Sequence, residues 1–140
     1  MGAELKGHRI TIISELTTRV RLVYGNRRQL QEVIVSLVRN AMEAMENTTD
    51  RNRVLRVKTE HRSTDAIVLF VQDSGPGIDP KNLESIFEAF VTTKSRGMGL
   101  GLAISRMIVE QHGGQLTASS DGKNGALFQF VLPALPLATT

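Results

Sequence analysis

The sequence predicts a single α+β domain in which one sheet layer packs against one helical layer. Three observations carry that expectation. Leu30, Val33, Ile34, Leu37, Val38, Ala41, Met42 and Met45 recur at three- and four-residue intervals, the signature of one apolar face on a long helix. Residues 66–71 are apolar throughout, as in a central strand that is covered on a face. Strands and helices interleave along the chain without strict βαβ alternation.

Residues 9–16, rich in β-branched side chains, read as the first strand, and residues 20–24 as a second short one. Gly25-Asn26 punctuates them, and Asn26 is placed to cap the long helix, expected from about Arg27 to Glu46. A polar turn at residues 47–52 leads to a strand carrying Val54, Val57 and Thr59. Ser63-Thr64-Asp65 then turns the chain into the apolar strand, which Ser74-Gly75-Pro76-Gly77 stops. Asp79-Pro80 is expected to start a short helical stretch holding Leu83, Ile86 and Phe87. Residues 90–96 form a loop before a glycine-rich segment that runs into a second helix, which Gly113 caps. Residues 116–120 and 126–132 close the domain as a hairpin around Asp121-Gly122-Lys123-Asn124-Gly125.

The 140 residues suffice for one domain with a sizeable core. With no Trp, one Tyr and five Phe, that core must be mainly aliphatic. The absence of Cys excludes disulfides, thiol catalysis and Cys-ligated zinc, and suits a reducing, cytoplasmic setting. No apolar run approaches the ~20 residues of a membrane helix, and no signal-peptide core is visible. The net charge of +3 comes from scattered bases without interleaved aromatics, so a nucleic-acid stacking platform is not expected. A mild positive field that attracts an anionic ligand accounts for it.

Several residues could carry chemistry. Gly97, Gly99 and Gly101 alternate with Met98, Leu100 and Leu102 just before a helix. Such a segment is either a flexible turn or a phosphate site, where unpaired N–H groups and the helix dipole meet an anion. Asn40, among Leu37, Val38 and Ala41, is either a satisfied core amide or an oxygen ligand for a hard cation such as Mg2+. Asp73, at the end of the apolar strand, is either a turn former or an acceptor for an exocyclic amine at the mouth of a pocket. Gly75 and Gly77 would then let a flat ring lie against the backbone. Lys94, preceded by Thr92 and Thr93, is either solvated or paired with a phosphate. Phe87 and Phe90 read as packing residues, and His8, His61 and His112 share no metal-ligand spacing. No Walker A lysine motif or nucleophile set is present.

In their order, four stretches resemble the boxes of the GHKL (Bergerat) ATP-binding fold as found in the catalytic domain of sensor histidine kinases. Residues 31–45 resemble the N box, 73–78 the first glycine box, 87–94 the F box and 97–102 the second glycine box. The N-box wording and the short lid are similar to those of the oxygen- and nitrogen-sensing kinases. The resemblance implies a two-layer α/β sandwich, with a mixed sheet covered by helices on one face and ATP or ADP bound under a lid. It implies that Asn40 holds Mg2+, that Asp73 accepts from the adenine amine, and that Gly75, Gly77 and Ile78 line the base. Thr92, Thr93 and Lys94 would sit near the phosphates, with Gly97, Met98, Gly99, Leu100, Gly101 and Leu102 closing over them. Asn40 and Lys94 would be the catalytic pair.

The implied partner is a histidine on separate dimerisation helices of the same kinase, with a response regulator acting downstream. The parent kinase is either soluble or membrane-anchored. Residues 1–8 are then expected to be a linker from those helices, 9–133 the ATP-binding domain and 134–140 a disordered tail. The fragment is expected to be monomeric and weakly active. Three departures stand out. Ser36 occupies a position where many relatives carry a second Asn, and Glu43 one where some carry Lys or Arg. No His precedes an acidic residue, so the phospho-acceptor motif is missing. A hydrolytic GHKL ATPase, a serine-directed kinase of the anti-sigma type and an inactive nucleotide-binding module are the alternatives.

Overall fold

The computed structural model describes residues 10–16, 25–62, 65–88 and 101–134. These form strand β1 (Ile10–Glu15), helix α1 (Arg27–Ala44), strands β2 (Arg53–Arg62) and β3 (Ala66–Gln72), helix α2 (Gly101–Gln111), and strands β4 (Gln115–Ser120) and β5 (Ala126–Pro133). The strands make one five-stranded sheet in the order β1-β2-β3-β5-β4. β1 runs parallel to β2 and every other pairing is antiparallel, so the sheet is mixed.

The register sorts the side chains by face. Val57 pairs with Val71, Val71 with Phe128, and Phe128 with Ala118. With Leu55, Leu69, Phe130, Leu132 and Leu116 they lie on the face that meets Val33, Leu37 and Ala41 of α1 and Ile108 and Val109 of α2 in one core. The opposite face carries Arg56, Lys58, Glu60 and Arg62 on β2 and Gln115, Thr117 and Ser119 on β4. Both helices therefore cover one face, as the resemblance implies. Within the core, the Phe87 ring meets Phe128 edge-on, with centroids 6.2 Å apart.

Helix α1 starts where the sequence indicates, because the Asn26 side chain accepts a hydrogen bond from the Gln29 N–H at 3.1 Å. It stops at Ala44, two residues before the expected end, in a turn at Met45. Arg53 holds that turn, donating from Nε to the Thr48 carbonyl and from Nη2 to the Glu46 carbonyl. Helix α2 ends at Gln111, and Gly113, two residues on, has a φ of 78° that suits a left-handed cap. The preceding His112 links the two helices: its Nδ1 lies 2.7 Å from the Ile108 carbonyl, while Nε2 accepts from the Asn26 N–H at 2.9 Å. One ring nitrogen must donate and the other accept, which assigns a neutral ring protonated on Nδ1.

The short helical stretch expected after Asp79 takes the form of two 3-10 helices, Pro80–Asn82 and Ser85–Phe87. Pro80 and the Asp79 cap on Lys81 fit a first turn, but three residues give the turn no ladder to propagate. β2 runs on to Arg62, because β3 pairs with it along its whole length. The strand expected at residues 20–24, and residues 135–140 of the tail expected at 134–140, lie outside the described residues, while the Ala134 N–H donates to the Asp65 carbonyl at 2.8 Å. Leu37 is fully buried under this sheet, so Leu37→Ala is expected to cost about 2–5 kcal/mol of unfolding free energy, measurable by urea titration.

Candidate functional site

A cavity of about 410 Å³ opens between α1 and the segment that follows β3. Asn40, Glu43 and Ala44 of α1 form one side, and Asp73, Gly77 and Ile78 another. Ile86, Leu102 and Phe128 supply apolar surface. A concave site of this size with a few convergent polar groups is the usual form of a small-molecule site.

α1 presents two polar residues to the cavity because its buried stripe fixes its rotation. Val33, Leu37 and Ala41 point into the core, and Asn40 and Glu43, one turn apart, lie beside that stripe and face the cavity. Asn40 is half-buried rather than enclosed among its apolar neighbours, since the cavity reaches it.

Asp73 is 4% exposed. Its Oδ1 accepts from the Gly75 N–H at 2.9 Å and from the Ala126 N–H at 3.3 Å. Its own N–H donates to the Ala126 carbonyl at 3.0 Å. Asp73 thus forms the Asx-type turn that one sequence reading expects, and it also lines the cavity. The two glycines each have a packing reason in the fold. A β-carbon at Gly75 would stand 2.8 Å from the Ala44 carbonyl oxygen, so this glycine lets the loop pack on the end of α1. Gly77 has φ +86°, and a β-carbon there would stand 2.8 Å from Ser120 Oγ and 2.9 Å from the Lys123 nitrogen. Its missing side chain admits the β4–β5 loop.

Gly101 opens α2 beside Ser36 of α1, a β-carbon there falling 3.1 Å from Ser36 Oγ. The N-terminal, partially positive end of α2 thus lies next to the N-box helix, with Leu102 in the cavity wall. Thr92, Thr93, Lys94, Gly97, Met98, Gly99 and Leu100 lie outside the described residues. Among the described residues the cavity lining holds three carboxylates, Glu43, Asp73 and Asp79, and no Lys, Arg or His. Arg106 of α2 does not line the cavity; its guanidinium lies 4.5 Å from the Phe87 ring centroid and pairs with Glu84 at 3.3 Å.

The β4–β5 loop at the back of this site escaped the sequence reading as anything but a turn. Asp121 organises it, accepting from the Lys123 and Asn124 N–H groups and from Asn124 Nδ2, each at 2.8 Å. No local signal ties that loop to the first glycine box, 42 residues away where Ser120 bonds Ile78.

Residues 25–136 match the Histidine kinase-, DNA gyrase B-, and HSP90-like ATPase family, and the chain belongs to it. Its relatives include the sensor protein FixL of Bradyrhizobium diazoefficiens, 44% identical over 113 residues. That match covers 81% of this chain but 22% of FixL, so the chain spans about a fifth of that relative's length. Solved structures agree in fold: a nucleotide-free catalytic domain of the histidine kinase ThkA has 34% identity and a TM-score of 0.76, covering 89% of this chain and 78% of that one. Full-length ShkA, solved in complex with AMPPNP, has 26% identity and a TM-score of 0.79 over 93% of this chain and 27% of its own.

The hydrogen bonds from Asn124, first its backbone N–H and then its side chain, hold the Asp121 carboxyl at about 2, below the 3.8 of a free group. The folded pKa is depressed, so this contribution is complete above the unfolded value and is lost as pH falls toward 2. Protection of the Lys123 and Asn124 amides from hydrogen exchange is expected to weaken across that window, and Asp121→Asn to flatten the dependence.

Proposed function

We propose that this chain is the ATP-binding catalytic domain of a two-component sensor histidine kinase, covering residues 9–133, and that it donates the γ-phosphate of ATP to a histidine on a separate helical domain. The observation that carries the reading is the cavity between α1 and the Asp73–Ile78 segment, which joins two boxes distant in sequence. The kinship with sensor kinases supports the same conclusion.

In this reading the base enters against Ile78, Leu102 and Phe128, and the Asp73 carboxylate accepts a hydrogen bond from the exocyclic amine of adenine. Two backbone N–H groups hold that carboxylate, so it is oriented before the ligand arrives. The donor set suits Mg2+: Asn40 and Glu43 offer oxygen atoms and the chain holds no Cys. Mg2+ keeps waters and phosphate oxygens in its shell and needs few protein ligands. Asn40 would hold it, and it would supply neutralisation of phosphate charge. Lys94, with Thr92 and Thr93, would pair with the terminal phosphate, and residues 97–102 would cover it.

The transfer forms a bond from the acceptor imidazole nitrogen to the γ-phosphorus while the bond to the β–γ bridging oxygen breaks and ADP leaves. The protein's share is positioning and charge neutralisation. A hydrolytic ATPase needs a group that activates water, and Ser36, one turn before Asn40, is a poor base. The partners are the histidine-bearing helices and, through them, a response regulator, in the cytoplasm.

Calorimetric titration of the chain with ADP, with and without Mg2+, tests the reading. Binding is expected for the wild type. Asp73→Asn is expected to weaken it about tenfold or more, by replacing an acceptor with a mixed amide, and Asn40→Asp to alter its Mg2+ dependence. No heat at millimolar ADP, or unchanged behaviour in both variants, would overturn the proposal.

A further inference from the structure

The base-side wall of the cavity is held from behind by two side chains that do not line it. Ser120, at the end of β4, uses its hydroxyl three times. Oγ donates to the Gly125 carbonyl at 2.7 Å and accepts from the Ile78 N–H at 2.9 Å and the Gly122 N–H at 3.1 Å. Arg51 lies in the turn after α1, and a two-point contact with Asp50 fixes its fork, Nε–Oδ1 at 3.3 Å and Nη2–Oδ2 at 3.0 Å. The remaining nitrogen, Nη1, donates to the Lys123 carbonyl at 2.9 Å and the Gly75 carbonyl at 3.4 Å.

Together these bonds grip the Gly75–Ile78 loop at two points and tie it to the β4–β5 loop. Between the grips sits Gly77, in a left-handed conformation and packed so closely on the loop behind it that a β-carbon would collide with Ser120 Oγ. A glycine there is free to leave that conformation unless neighbouring bonds hold it. We propose that Ser120, with Arg51 as its second point of attachment, is a positioning residue for recognition of the nucleotide base. It acts through Ile78 and Gly77 and has no contact with the phosphates. The proposal rests on the nucleotide reading given above.

The hydroxyl is suited to this because it both donates and accepts. Alanine at 120 leaves the Ile78 N–H and the Gly125 carbonyl without their partner. The wall can then shift relative to Asp73, whose own position is kept by Gly75 and Ala126. Sub-ångström displacement of one wall of a recognition site lowers affinity for the group bound there and leaves distant contacts intact.

The test compares ADP with inorganic pyrophosphate, both with Mg2+, by calorimetry on the whole chain well below its unfolding temperature. Ser120→Ala is expected to weaken ADP about tenfold and to leave pyrophosphate unchanged, an effect of one to two hydrogen bonds. Ser120→Thr, which restores the hydroxyl, is expected to recover most of the loss. Arg51→Lys keeps the charge but loses the fork, and is expected to weaken ADP about threefold, again sparing pyrophosphate; it serves alone should Ser120→Ala fail to fold. A lower melting temperature with unchanged ADP affinity would overturn the proposal, since that is what a purely structural bond predicts. Equal losses for ADP and pyrophosphate would overturn it too. Failure of the wild type to bind ADP would instead remove the nucleotide reading, and this inference with it.

Discussion

The rotational setting of α1 governs everything built on it. An α-helix advances by about 100° per residue, so sliding its register by one position would carry Asn40 and Glu43 away from the cavity. What prevents that is the locking of Val33, Leu37 and Ala41, all essentially without solvent exposure, against the helix-facing side of the sheet. The apolar stripe thus acts as more than a source of stability. It fixes the direction in which the neighbouring polar stripe points, and the helix ends are held to match: Asn26 and His112 at one, Arg53 at the other.

The opposite wall is made by a strand that stops. β3 can run through the middle of the sheet because its side chains are apolar, and it ends where Asp73 begins to bond backbone N–H groups of its own turn and of β5. A carboxylate taken out of water must find such donors, so the bonds that terminate the strand also orient the acid. The glycines beside it serve the same purpose through shape. Gly75 lets the turn lie against the last carbonyl of α1, and Gly77 lets the β4–β5 loop lie against the turn. The wall depends on close contact between three backbone segments, which is why glycine stands at positions 75 and 77.

Legibility from sequence followed the range of the forces involved. The stripe of α1, the apolar run of β3 and the closing hairpin were readable because each is a local pattern of burial repeated along a few turns or pleats. Asn40 and Asp73 were readable as candidates because polar residues stand out in such patterns, and the structure brings both to one cavity. The parallel pairing of β1 with β2 was not readable from the residues, since it is set by how the chain crosses α1 rather than by either strand. Ser120 and Arg51 gave no signal at all: one serine in a strand and one arginine in a turn acquire meaning only through carbonyl and N–H groups that folding brings to them. The glycines were visible, but their reason was not, because the atoms that crowd them come from other parts of the chain.

The electrostatics of the described walls bear on how an anionic nucleotide can be held at all. Glu43, Asp73 and Asp79 face the cavity and no described cation does, so a bare polyphosphate would meet like charge. Among the described residues, the partially positive start of α2 at Gly101 and the Asn40 and Asn82 amides offer it something favourable there, and these are worth little against several carboxylates. A site of this composition favours a ligand that brings its own cation, or one that draws Lys94 and its neighbours to it. The resemblance implies a lysine or arginine in some relatives where this chain has Glu43, and on the proposed reading that exchange would shift the burden of neutralising phosphate from the helix to Mg2+ and Lys94. Adenine, being uncharged and presenting an amine, suffers no such penalty. On the proposed reading, the same acidity that would repel phosphate suits Asp73 to accept from a base, so the two ends of the nucleotide would be recognised by opposite electrostatic means within one cavity.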